Sequence, residues 1–266
     1  MKTILLLLVS FFIFTTSYAQ EQQGPSAEEL AKANNPLAEM NALNFQNYYI
    51  PHLSDAPEQA YINNFWMRYV QPFAKGKFIM RASVPLVSNS FGTDQQGIPL
   101  SNSGLGDANV FVSYNFISGA DKTIGIGPLI AAPTASNSAL GSGKWQAGFA
   151  FVAFIVQSPK LQLGSLITWQ ASFAGDSDRD NTNLSAVQPF IFWQLGGGTY
   201  LRSASIWVFD FAKKQYHVPF SVGIGKVLKV NKTVFNIFVE PQYSILHKGT
   251  QPQLQIFTGL NMQFAK

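Results

Sequence analysis

Residues able to do acid–base or nucleophilic chemistry are scarce in this chain. Its 266 residues include three histidines, His52, His217 and His247, and no cysteine. A hydroxyl nucleophile needs a base beside it. Ser221 and Ser244 are the serines that could be set near His217, but no spacing marks a catalytic group, and the chain is not read as an enzyme. The lack of cysteine removes disulfides, thiol catalysis and thiolate metal sites together. Gly141-Ser142-Gly143-Lys144-Trp145 lacks the earlier glycine and the following Ser/Thr of a phosphate loop. Gly104-Leu105-Gly106 has no third glycine at dinucleotide spacing and no helix after it. Asp176-Ser177-Asp178-Arg179-Asp180 begins like a calcium loop, but Asn181 and Val187 stand where the glycine and the closing glutamate belong. No metal site and no cofactor are expected, and these aspartates are read as solvated.

The polar residues that remain are spread along alternating segments, so their chemistry depends on which way those segments face. The chain is 47% hydrophobic and 14% aromatic, with 12% charged residues, against about 25% charged in a soluble domain. Something other than water must cover that apolar surface. The net charge of +4 comes from scattered residues, without the basic stripe that a nucleic-acid partner requires. Lys2, the apolar run Ile4 to Ile13 and Ser17-Tyr18-Ala19 have the order of an export signal cleaved before Gln20. Beyond it the longest apolar stretch, Ala147 to Val156, is too short for a membrane helix.

Residues 20–40 are polar, and their composition suits a short helix, an ordered plug or a loose periplasmic tail alike. From Asn41 onward the pattern has period two, broken at intervals by turn residues. It resolves into about 12 segments: 41–50, 60–72, 77–87, 106–117, 123–133, 144–157, 161–174, 184–195, 199–209, 216–227, 233–246 and 253–264. Short connections (Ala74 to Gly76, Gly119 to Asp121, Ser158 to Lys160, Gly196 to Gly198, Asn231-Lys232) alternate with mostly longer ones, which include Ser88 to Leu105, Thr134 to Gly143 and Gly175 to Asn183. A soluble sandwich has no reason to sort its loops by length. The expected fold class is all-β: a single antiparallel transmembrane β-barrel with short periplasmic turns and longer outer loops, spanning residues 41–266, after a signal peptide at 1–19 and the segment 20–40.

Lipid cannot satisfy a polar side chain, so the polar phase must face the lumen. The candidate lumen-lining residues are Arg68, Arg81, Asp107, Asn109, Gln170, Gln188, Arg202, Asp210, Glu240, Gln242 and Gln255. Phe111 and Phe190 share that face. In the last segment Ile256 and Leu260 are expected to meet lipid, and Gln255 and Asn261 the lumen. Arg81 and Glu240, both near mid-strand, either join one lumen charge cluster, with Arg68, Arg202, Gln170 and Gln188 as further candidates, or are separately hydrated in a wet pore. Lys226 falls in the lipid-facing phase of Val222 and Ile224, which calls for either a snorkelling side chain or a bulge after Gly225.

Several segments resemble one known family. They are Gly104 to Asp107, the block GIGPLIAAPTASNSALGSGKW ending at Trp145, SFAGDSDR from 172 to 179, VQPFIFWQL from 187 to 195, and VPFSVGIGKVLKV from 218 to 230. Arg81 ahead of Val84-Pro85-Leu86 is similar as well. In order, they resemble the outer-membrane β-barrel family named for the meta-cleavage pathway of phenol degradation. The resemblance implies an outer-membrane barrel passing small hydrophobic or aromatic compounds. The partners expected are the lipid bilayer, the outer-membrane assembly machinery and a small-molecule cargo, with no nucleic acid; oligomeric state is left open. A closed binding or structural barrel working through its outer loops is the alternative.

Overall fold

A computed structural model describes residues 25–94, 96–119 and 121–264. The expected export signal at 1–19 lies outside them. Fifteen strand segments form one antiparallel sheet, and three of its walls are each broken once, so that twelve walls close into a barrel. The uninterrupted walls are β1 (Asn41–Leu53), β2 (Tyr61–Phe73), β3 (Phe78–Thr93), β6 (Lys122–Ala132), β7 (Lys144–Val156), β8 (Leu161–Gly175), β9 (Asn183–Gly196), β14 (Thr233–Lys248) and β15 (Pro252–Phe264). The broken ones are β4 (Pro99–Leu105) with β5 (Ala108–Ser118), β10 (Thr199–Ser203) with β11 (Trp207–Asp210), and β12 (Gln215–Ser221) with β13 (Gly223–Val230). β15 pairs with both β1 and β14, which closes the ring and leaves no free edge.

The walls follow the expected segments closely, with one difference at the long-loop end. Residues 88–105, expected as a loop, form a hairpin: β3 continues to Thr93 and β4 returns beside it, pairing Ser88 with Ser103 and Asn89 with Asn102. Serine and asparagine carry no apolar alternation there, but the backbone ladder does not need one. A second difference is the gap between β10 and β11. The Ala204 amide leaves the ladder to donate to the Glu240 carboxylate at 2.9 Å, and the Ala204 carbonyl accepts from Gln188 Nε2 at 2.9 Å. Side chains have replaced strand pairing at that point.

Faces separate cleanly. Outward residues such as Ile237, Val239, Ile245, Phe220 and Ile224 are exposed, as a lipid-covered wall requires. Aromatic side chains gather near both ends, with Phe73 stacked on Phe78 and Tyr114 tilted against it at the short-turn end, and Trp145, Phe149 and Trp169 toward the long loops. Lys226 stays in the outward phase without a bulge: Nζ reaches the Gly197 carbonyl at 2.7 Å and Thr199 Oγ1 at 3.2 Å, at the short-turn rim. It snorkels. In the last strand Gln255 is buried and Asn261 lines an interior cavity, while Ile256 and Leu260 take the opposite phase.

Residues 27–34 form a helix, α1 (Ala27–Asn34), inside the short-turn mouth of the barrel. Ser26 caps it: its Oγ accepts from the Glu29 amide, and the Glu29 carboxylate accepts from the Ser26 amide, a reciprocal capping box. Asn35 turns extended (φ −80°, ψ 115°) because Pro36 follows, and the helix stops there. Leu30, Ala33 and Leu37 are buried against the inward faces of Val70, Ile79, Val152 and Phe154. Burying each leucine contributes about 1.5–3 kcal/mol. Asn34 donates to Gln162, Gln263 to the Lys32 carbonyl, and Asn236 to the Ala33 carbonyl, so the helix end is tied to three walls.

Candidate functional site: the lumen cavity

Above α1 the lumen holds a cavity of about 320 Å³. Ala33, Asn34, Pro36 and Met40 form its floor. Its walls mix three kinds of side chain: amides such as Gln46, Gln170 and Gln188; aromatics such as Tyr48, Trp66, Phe190 and Phe192; and the arginines Arg68, Arg81 and Arg202. Among the described residues, no carboxylate lines it.

Glu240 lies directly behind Arg202 and is fully buried. Beyond the ion pair with Arg202 Nε, its carboxylate accepts from the Ala204 amide, from Ser221 Oγ at 2.6 Å and from Gln242 Nε2 at 3.0 Å. Gln242 in turn accepts from Gln255. The Arg202 guanidinium packs over Phe238, 3.5 Å from the ring centroid, and is flanked by Phe257 and Phe192. A charge pair in so apolar a surrounding survives only with its hydrogen bonds complete, and here the carboxylate has four donors.

The expected lumen residues fall into three groups. Arg68, Arg81, Asn109, Gln170, Gln188 and Arg202 line the cavity. Glu240, Gln242 and Gln255 form the buried network behind Arg202. Asp107 and Asp210 sit at the long-loop end and organise loops. Asp210 caps the 211–214 turn through the Lys213 amide at 2.9 Å, and Asp107 accepts from the Ala135 and Ser142 amides and Ser142 Oγ. Of the two alternatives, the joining of Arg81 to Glu240 is not formed: Glu240 pairs with Arg202, and Arg81 lies over Phe111. Their strands, β3 and β14, are four walls apart around the ring, whereas the broken wall beside Ala204 brings Arg202 to Glu240.

Most of the lumen aromatics were not singled out by sequence reasoning. Tyr48, Phe154, Phe192, Phe238 and Phe257 all face inward and are buried. Strand phase alone would have placed them, since Phe238 sits between Asn236 and Glu240 and Phe257 between Gln255 and Gly259. Their residue type argued for lipid instead. Tyr48 and Phe257 stack with centroids 4.2 Å apart, and Phe238 meets Phe257 edge-on.

The glycine and serine motifs also find a use. Gly104 and Gly106 lie where loop 133–143 folds back. A Cβ at Gly104 would fall 2.1 Å from Ser136 Oγ, and one at Gly106 3.1 Å from the Leu140 carbonyl. Arg179 clamps the same loop, donating to the carbonyls of Ser138 at 2.7 Å and Gly141 at 2.6 Å. Asp176 accepts from the Asp178 amide. Neither candidate serine meets His217: Ser221 Oγ is taken by Glu240, and Ser244 Oγ donates to the Leu246 carbonyl.

No family model matches this sequence, and no curated protein does. Solved structures do match. An outer-membrane channel from Pseudomonas putida F1 superposes with a TM-score of 0.60 at 13% identity, over 85% of this chain and 94% of that one. The NanC porin gives 0.49 at 11% identity over 84% and 100%, and the CymD monoaromatic hydrocarbon channel 0.46 at 10% over 86% and 89%. The fold is that of an outer-membrane β-barrel. The likeness extends to the fold alone.

The floor of the cavity carries a pH-dependent tie. Lys229 hydrogen-bonds the Glu29 carboxylate, and with the Ser26 amide it holds that carboxyl below its ordinary 4.5. A lowered folded pKa stabilises the docked helix above the unfolded value, and that contribution is lost as pH falls through the folded one. Below about pH 4.5 the amides of α1 are therefore expected to exchange hydrogen faster, after correction for intrinsic rates, while β14 amides hold. Lys229→Met should weaken this pH dependence, leaving the part that Ser26 supplies.

Proposed function

We propose that this chain is an outer-membrane channel or facilitator of a Gram-negative bacterium, exported with its signal removed and inserted by the outer-membrane assembly machinery. Its cargo is a small hydrophobic or aromatic molecule, in keeping with the resemblance to the phenol meta-pathway barrel family. The observation that carries this reading is the cavity of about 320 Å³ inside a closed barrel, lined by aromatic rings as well as amides and arginines. A purely structural barrel would be filled through, and a general porin would present a wetter, less aromatic lumen. The barrel is not proposed to catalyse a reaction.

The second reading, a closed binding barrel, is favoured by one feature, the α1 floor packed on Leu30, Ala33 and Leu37. Purified protein in planar bilayers separates the two. Discrete openings support a channel, and silence at every voltage supports the closed barrel. Leu30→Asp together with Leu37→Asp puts two charges into the apolar seat of the floor, so conductance should rise several-fold if α1 limits the path. An unchanged conductance in a folded variant would place the limiting constriction elsewhere.

A further inference from the structure

Two lumen cations have no counter-charge among the described residues. Arg68 on β2 and Arg81 on β3 both line the cavity, and the register that pairs Arg68 with Ser83 and Val70 with Arg81 sets them diagonally on one face of one strand pair. Diagonal neighbours of this kind lie roughly 7–8 Å apart, within reach of a single anion for side chains as long as arginine. Arg68 lies over Trp66 at 4.7 Å and Arg81 over Phe111 at 4.5 Å, so both guanidiniums are braced from the wall. Arg68 donates to Gln46 through Nη1. The Nε atoms of both arginines are buried without a hydrogen-bond partner among the described residues.

Arg202 marks the contrast, for Glu240 supplies its counter-charge. Two like charges set side by side in a low-dielectric wall repel and gain nothing as structure. A lumen that needed only polarity is served by amides, as Gln46, Gln170 and Gln188 already do. Across the ring from β2 and β3, the walls β8 and β9 present Leu166, Phe190 and Phe192 to the same cavity.

We propose that the cavity binds a small organic monocarboxylate. Its carboxylate lies between Arg68 and Arg81, and its apolar body, one ring or a short chain, lies against Leu166, Phe190 and Phe192. Guanidinium groups match a carboxylate through paired N–H donors. The volume of about 320 Å³ is at the small end of the roughly 300–1,000 Å³ typical of ligand pockets. The proposal rests on the reading of the barrel as a carrier of small apolar cargo and adds the charge of that cargo.

The probes are benzoate, its neutral counterpart benzyl alcohol, and inorganic phosphate, titrated calorimetrically into the purified barrel against micelle blanks. Benzoate is expected to bind at least tenfold more tightly than benzyl alcohol, and phosphate should displace it poorly. Arg68→Gln and Arg81→Gln should each erase the preference, Arg81→Lys should keep most of it, and Lys226→Gln on the outer face should leave it intact. Folding of each variant is checked by heat-modifiable migration, and the comparison of ligands on the unaltered protein needs no variant. Equal binding of benzoate and benzyl alcohol overturns the proposal. So does a preference that survives in the folded double variant, and so does displacement by equimolar phosphate, which would leave no part for the apolar wall. Liposome flux tests the channel reading separately: preference without flux ends that reading and keeps the site, while flux without preference does the reverse.

Discussion

Glu240→Gln is expected to cost the barrel about 3–5 kcal/mol, the usual penalty for removing one partner of a buried ion pair. The reason is geometric. The carboxylate is wholly buried and accepts from Arg202, the Ala204 amide, Ser221 and Gln242. A neutral amide leaves the Arg202 charge among Phe192, Phe238 and Phe257 with no anion. It also offers an N–H where a donor already points. Urea unfolding in lipid or detergent, followed by loss of heat-modifiable migration, measures the effect. A double-mutant cycle then separates the partners. Arg202→Gln with Glu240→Gln should be less damaging than the sum of the singles, with a coupling of roughly 1–3 kcal/mol, whereas Arg81→Gln with Glu240→Gln should add to within about 0.5 kcal/mol. Strong coupling in the second cycle and none in the first would show that Arg81, not Arg202, holds the charge. Because Glu240 also holds the Ala204 amide at the β10–β11 break, exchange of amides in 202–208 should rise with the loss of stability.

Leu260→Arg and Asn261→Arg are neighbours in sequence and opposites in environment. Leu260 is paired with Phe45 and Ile237 on the outer phase near mid-wall, while Asn261 lines the cavity and accepts from Gln46. An arginine at a mid-membrane lipid position costs roughly 2–4 kcal/mol. At Asn261 the new guanidinium enters the lumen instead of lipid, though it shares Gln46 with Arg68, so the loss should be smaller than at Leu260. Folded yield after refolding into liposomes should therefore drop steeply for the first variant and less for the second. Equal loss at both positions would mean that the wall is not facing lipid at Leu260.

The sequence by itself determined the barrel. A period of two that persists from Asn41 to Phe264 divides apolar from polar residues only if one face meets lipid and the other a lumen. Loops sorted by length add the two ends. Both signals are local, so one strand at a time carries them, and even Lys226 announced that it must snorkel or bulge. What the lumen contains was decided by tertiary structure. Phe238 and Phe257 face inward by strand phase, but that Tyr48 stacks on Phe257 and Phe238 meets it edge-on depends on β1, β15 and β14 lying side by side. The partner of Glu240 depends on which strands are neighbours around the ring and on a break at Ala204 that strand periodicity does not reveal. Arg81 and Arg202 look alike in sequence, each in the polar phase of a strand. Only the break at Ala204 and the register of the wall between β10 and β14 give Arg202 a carboxylate, while Arg81 has none among the described residues. The segment around α1 is the sharpest case: its composition suits a helix, a plug or a tail, and it is the apolar mouth formed by Val70 on β2, Ile79 on β3, and Val152 and Phe154 on β7 that supplies a seat for Leu30 and Leu37. Pairing over hundreds of residues sets these contacts, and no short window of sequence contains it.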